Sequence, residues 1–207
     1  MSAVPQSPPL IAVVLAGGQS RRMGQDKASL RWGGQSLWRC QAELLRGLGL
    51  DVAISVRVDQ KLPDFITGEF LLIRDQIADV GPLSGFLSAW RQFPDHALLI
   101  VACDLPMLDV ATLQSLLDQR DDGYWATAYT SANDGLPEPL CAIYEPAAQK
   151  EFEASLAANR RCPRKVLIEG GDDVRLLKLL NPIALENANT PEEFERLYAL
   201  RRAEAQA

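Results

Sequence analysis

Histidine is almost missing from this 207-residue chain; His96 stands alone, so a histidine-rich metal site cannot be built. Cysteine is sparse too. Cys40, Cys103, Cys141 and Cys162 are scattered, with no C-x-x-C pair among them. A disulfide framework would be denser and a zinc site would cluster its ligands. The four therefore read as reduced thiols, mostly core filler, in a cytoplasmic protein. No uninterrupted apolar run approaches the length that spans a bilayer. The opening "MSAVPQSPP" has neither the basic region nor the apolar stretch of a signal peptide. An excess of positive charge is absent as well. The net charge is -6, whereas nucleic acid and anionic membranes reward a basic surface. Neither is expected as the main partner, although a local basic site remains open. No internal repeat, low-complexity tract or linker divides the chain. The expectation is a flexible lead-in over 1–9 and one domain over 10–207.

Short apolar runs alternate with stretches of helical spacing. "LIAVVLA" (10–16) is continuous and rich in β-branched residues, as for a strand buried on both faces. "DVAISVR" (51–57), "EFLLIRD" (69–75) and "HALLIVACD" (96–104) follow as strands. "LWRCQAELLRGLG" (37–49), "PLSGFLSAWRQF" (82–93, with Pro82 in its first turn) and "DVATLQSLLDQR" (109–120) read as helices. The order implies an open, mostly parallel sheet covered on both faces, a Rossmann-like three-layer αβα sandwich. Beyond residue 120 the pattern weakens. "YWATAYT" (124–130) and "LCAIYE" (140–145) fit strands, 146–159 a helix, and "RLLKLL" (175–180) either. The last helix carries its own start signal, with Thr190 to cap, Pro191 at the first helical position and Glu193 to complete a capping box.

Positive charge does gather in one place, just past the first strand. From Leu15 to Arg31 the cations Arg21, Arg22, Lys27 and Arg31 outnumber Asp26, a net of +3. In such sheets ligands bind beyond the carboxyl ends of the strands. Gly17 and Gly18 lack Cβ atoms, so backbone amides there can close on an anion. Amides and cations together suit a di- or triphosphate. The loop is not a Walker A sequence, because Gly24 is followed by Gln25-Asp26-Lys27, and the adjacent glycines do not spell G-x-G-x-x-G. Lys27 is the first candidate for stabilising a transition state and leaving group, the alternative being a surface lysine paired with Asp26. Asp104 closes a buried run at a strand mouth. There its carboxylate can hold Mg²⁺ through oxygen, or simply form a turn before Leu105-Pro106.

"LAGGQSRRMGQDK" (15–27) resembles the signature of the MobA-like nucleotidyltransferases. "DVGPLSG" (79–85), "PEPLCAIY" (137–144), "VACDLPML" (101–108) and "NANTPEEF" (187–194) support the likeness across most of the chain. The resemblance implies a nucleotide-diphospho-sugar transferase type of fold and a nucleotide site at Leu15, Ala16, Gly17, Gly18, Lys27, Arg57, Asp75 and Asp104. Its R-M-G segment favours Arg22 over Arg21 at the phosphates. Asp75 matches a nucleotide-contacting aspartate, with loop capping as its alternative and Asp79 as a rival. Arg57 stands where the family commonly has asparagine, and it cannot reproduce an amide's donor–acceptor pair. On the acceptor side the resemblance points to Asn187 and Asn189, and Arg160 and Arg161 could hold the acceptor's phosphate. The alternatives are a turn residue at Asn189 and a solvated charge run at the arginines.

The adjacent glycines favour the guanylyl branch. The implied reaction moves GMP from GTP onto molybdopterin carrying molybdenum, with Mg²⁺, releasing pyrophosphate. Molybdoenzyme maturation proteins would be the downstream partners. A phosphate-monoester nucleophile is already ionised at neutral pH, so the scarcity of histidine is no obstacle. Two other readings stay open. One is a cytidylyltransferase for the same cofactor, or a nucleotidyltransferase for another phosphorylated acceptor. The other is a catalytically silent nucleotide-binding protein.

Overall fold

β1 (Leu10–Leu15) is apolar throughout because both of its faces are covered. Ala12 and Val14 join a core with Trp38, Leu45, Leu113 and Leu116. Ile11 and Val13, pointing the other way, join Phe86, Trp90, Phe152 and Val166. A strand side chain changes face at each residue, so two cores require an unbroken apolar run. The computed structural model describes residues 7–17, 30–63, 65–66, 68–77 and 80–204.

β1 pairs in parallel with β4 (Asp51–Val56) and with β6 (Ala97–Ala102), Val13 lying opposite Ala53 and Ile100. β5 (Leu71–Arg74) extends the sheet beyond β4. On the other side come β8 (Pro137–Tyr144), β7 (Ala126–Thr130) and β9 (Val174–Lys178), giving the order β5-β4-β1-β6-β8-β7-β9. Only β8 runs against its neighbours, pairing antiparallel with both β6 and β7. A two-stranded ribbon of β2 (Arg31–Trp32) and β3 (Gln35–Ser36) stands apart from the sheet.

Helices α1 (Leu37–Gly47) and α3 (Val110–Asp118) cover one face. Helices α2 (Leu83–Gln92), α4 (Ala148–Ala157) and α5 (Pro163–Gly170) cover the other. There Phe86 meets Tyr144 at 5.1 Å and Phe152 at 5.0 Å between ring centroids. The expected three-layer sandwich is the observed one. The segment 175–180 resolves to a strand, and β8 begins three residues earlier than its apolar run suggests. α5 had no counterpart in the sequence reading. At the amino end Pro9 accepts from the Ala97 amide and Pro8 from Arg120, so the sheet gathers in the last residues of the lead-in. No helix among the described residues is long and apolar enough to cross a membrane.

The chain leaves β1 for β4 and β5 on one side, then returns to place β6 on the other. That reversal opens a crevice at the carboxyl ends of β1 and β6, the usual ligand position in such sheets.

Candidate active site

Three consecutive backbone units past β1 are held in place. The Leu15 carbonyl accepts from the Cys103 amide at 3.2 Å, and the Ala16 amide donates to the Ser55 carbonyl at 2.8 Å. The Ala16 carbonyl accepts from Gln60 Nε2 at 2.9 Å and the Gly17 carbonyl from Arg57 Nη1 at 2.7 Å. Gln60 Oε1 in turn accepts from the Arg57 amide. The chain thus leaves β1 from a fixed point. Space at that point is tight for any residue but glycine. A Cβ on Gly17 would sit 3.0 Å from Asp75 Oδ2 and 3.3 Å from the Arg57 amide nitrogen.

Asp75 follows β5, and its amide continues the ladder by donating to the Val56 carbonyl at 2.8 Å. Its Oδ1 accepts from Ser55 Oγ at 2.7 Å. Burial pushes the carboxyl's pKa upward, with the Ser55 hydroxyl, the Arg57 charge and the Ser84 hydroxyl pulling the other way. Ser84 is buried in the first turn of α2. Gly85 lets that helix come so near, because a Cβ there would meet Leu15 Cδ2 at 2.6 Å and Ser55 Oγ at 2.7 Å. Gly81, with φ of +63°, makes the turn into the helix.

Asp104 lies across the crevice, two residues past β6 and half-buried. Its carbonyl accepts from the Ala188 amide at 3.0 Å, and the next carbonyl, Leu105, accepts from the buried Gln41 side chain at 2.7 Å. The Ala188 contact draws Asn187 and Asn189 to the same rim. Behind them starts α6 (Pro191–Glu204). Its capping box closes as expected: Glu193 Oε2 accepts from the Thr190 amide at 3.1 Å and the Glu193 amide donates to Thr190 Oγ1 at 3.2 Å. The Asn189 amide also donates to Glu193, at 2.8 Å.

Beside Leu105 a cavity of about 100 Å³ opens, walled by Leu140 and Leu185 and rimmed by Glu138, Arg164 and Asn187. Arg164 forks between Asp134 (2.8 Å) and Glu138 (3.0 Å). Arg160 and Arg161 lie in the exposed turn between α4 and α5. Arg160 pairs with Glu169 at 3.3 Å and Arg161 donates to Asn159 Oδ1. Neither lines the cavity; Arg164, from the same basic stretch, does.

The structure therefore gathers Leu15, Ala16, Gly17, Arg57 and Asp75 on one wall, and Asp104, Asn187 and Asn189 on the other. Gly18, Arg21, Arg22, Lys27 and Asp79 lie outside the described residues. Ser55, Gln60, Gly85, Glu138 and Arg164 were not singled out from the sequence. Gly85, in "GPLSG", and Glu138, in "PEPLCAIY", lie inside quoted motifs, but neither was given a role of its own. Among the described residues no group of three His, Cys, Asp or Glu side chains converges. None of the four cysteines forms a disulfide, and burial pushes the Cys141 thiol up to about 12.

A protein-family model for the MobA-like NTP transferase domain matches residues 12–174. A molybdenum cofactor biosynthesis bifunctional protein of Synechocystis sp. is 34% identical over 91% of this chain, which spans only 54% of that protein's length. A molybdenum cofactor guanylyltransferase of Pseudomonas paraeruginosa is 31% identical over 94% of this chain and 97% of its own. Among solved structures, molybdopterin-guanine dinucleotide biosynthesis protein A of Archaeoglobus fulgidus superposes with a TM-score of 0.73, covering 93% of this chain and 98% of its own. At 22% identity it speaks for the fold alone. With the matched region running from the core of β1 to the start of β9, the chain belongs to the MobA-like NTP transferase family.

Proposed function

We propose that this protein transfers GMP from GTP to molybdopterin carrying molybdenum. The observation that carries the proposal is the crevice between β1 and β6. It joins the tethered start of the segment from Leu15 to Arg31, of net charge +3, to a half-buried carboxylate and the Asn187–Asn189 rim, in a chain whose full-length relative is named molybdenum cofactor guanylyltransferase. An oxygen of the acceptor's phosphate attacks the α-phosphorus of GTP. The new O–P bond forms as the bond to the β-phosphate oxygen breaks, and pyrophosphate leaves. No base is needed for an ionised phosphate, so the task is electrostatic.

Lys27 and Arg22 supply cations to the triphosphate, and amides around Gly17 and Gly18 supply donors. Arg57, spent on the Gly17 carbonyl, holds the wall of the nucleotide site rather than replacing an asparagine amide. Asp75, fixed by Ser55, faces the nucleotide from the same wall. Asn187 and Asn189 orient the acceptor, and Arg160 and Arg161, in the exposed turn after α4, are the cations offered to its phosphate. A divalent metal fits the donor set. Asp104 is a hard oxygen ligand at the strand mouth, and Mg²⁺ is commonly held by one or two carboxylates with substrate phosphates and water. Bound there, Mg²⁺ would neutralise charge on the phosphates. Four cysteines outside any disulfide fit a reducing compartment such as the cytoplasm.

The test is pyrophosphate release by the purified protein with Mo-molybdopterin. Release is expected only with GTP, acceptor and Mg²⁺ together. Faster release with CTP would overturn the guanylyl assignment. Binding without release for every triphosphate would mean a silent nucleotide binder.

A further inference from the structure

We infer that Glu138, set in place by Arg164, reads the amino edge of the acceptor's pterin ring. The inference rests on the acceptor proposed above. Glu138 is the second residue of β8 and projects into the cavity next to Leu105, the neighbour of Asp104. Its side chain is 15% exposed, and Oε2 accepts from Arg164 Nη2 at 3.0 Å. The other arm of the Arg164 fork is occupied by Asp134. The guanidinium is therefore engaged on both sides and acts as a clamp on the Glu138 rotamer, not as a phosphate receptor.

The cavity has the build of a slot for the edge of a flat heterocycle. Leu105, Leu140 and Leu185 provide apolar walls, while Glu138 and Asn187 provide polar groups at the rim. A pterin presents an exocyclic amino group and a ring N–H side by side, with a carbonyl next to them. An ionised carboxylate is acceptor-only and offers about four lone-pair sites. Glu138 can thus take both pterin N–H groups while keeping Arg164. Asn187 can donate to the ring carbonyl.

Guanine carries the same edge, so position decides between the two rings. Gly17 and Asp75 stand at the ends of β1 and β5, whereas Glu138 is on β8, on the far side of β6. Asp104 lies between, beside the end of β1. A nucleotide on the first wall leaves the Glu138 slot to the acceptor.

The experiment is isothermal titration of the full chain with pterin and with lumazine, which has an oxo group in place of the amino group. Each is run with and without saturating GTP and Mg²⁺. Pterin should bind at least about tenfold tighter than lumazine in both conditions, the loss expected when a polar pocket is left unpaired. Glu138→Gln puts a donor against a donor and should bring the two within about twofold. Equal binding of the two by the wild type, no binding of either, displacement of pterin by GTP, or undiminished selectivity in Glu138→Gln would each overturn the inference. The wild-type comparison decides even where the variant fails to fold. Pyrophosphate release separates this inference from its parent. Release without pterin selectivity sinks the slot alone, and selectivity without release sinks guanylyl transfer alone.

Discussion

Asp75 is the residue at which stability and the proposed nucleotide contact pull apart. Burial raises its folded pKa above the value in the unfolded chain. Over the window between the two, the folded protein keeps a proton that the unfolded chain has lost. Stability therefore falls as pH rises through that window, and at neutral pH the ionised carboxylate is a liability. Asp75→Asn keeps an acceptor for Ser55 Oγ but carries no charge. Its melting temperature should exceed that of the wild type at pH 7, and the gap should close as pH falls into the ordinary carboxylate range. GTP should bind at least about tenfold more weakly, as for loss of a charged partner. A melting profile against pH and a GTP titration check both; a wild type more stable than the variant at pH 7 would show that the hydroxyls and Arg57 outweigh burial. The family resemblance marked Asp75, at the end of the third strand and ahead of G-P-L. It did not mark Ser55 or Gln60, whose partners lie 20 and 44 residues away and follow only from the pairing of strands.

At the scale of elements, legibility tracked how each segment is buried. β1 and β6 are covered on both faces and read as continuous apolar runs. β8 opens on Pro137-Glu138-Pro139, and proline argues against a central strand. It is accommodated beside an irregular register of β7 between Ala128 and Tyr129. β9 is a five-residue edge strand, too short for its alternation to separate strand from helix. α5 was concealed by the basic run "NRRCPRK", although Pro163 at its start and Gly171 at φ +52° after its end are ordinary boundary signals. α6 was readable because its cap is chemical. Thr190→Ala removes the hydroxyl that accepts from the Glu193 amide, a loss of about 1 kcal/mol. The melting temperature should drop by about 2–4 °C. The same cap anchors Asn189 and, through Ala188, the Asp104 carbonyl. The KM for Mo-molybdopterin should rise while that for GTP stays put; a shift confined to GTP would show that this segment does not serve the acceptor.

The whole molecule separates its two tasks along the sheet. The carboxyl ends of β1 and β6 carry the crevice, where backbone carbonyls are tied and the Asp75 and Asp104 carboxylates stand. The opposite end carries a structural clamp. Arg120, beyond α3, meets Glu145 through two bonds of 2.7 and 2.8 Å and reaches the Pro8 carbonyl at 2.8 Å. Glu145 closes β8, its amide bonded to the Trp125 carbonyl, and its side chain is 5% exposed. One guanidinium thus joins the chain's entry into β1, the exit from α3 and the far end of β8. Arg120→Met would strand a buried carboxylate, a loss of about 3 kcal/mol, and lower the melting temperature by about 6 °C or more. Since the clamp and the crevice occupy opposite ends of the strands, kcat and both KM values at 25 °C should stay within about twofold, as for distant, uncoupled sites. A variant that melts early yet turns over normally would place fold stability and catalysis at separate ends of the sheet. A matching fall in kcat would instead show that strain at the base of β1 is transmitted along six residues to Gly17 and the loop it anchors.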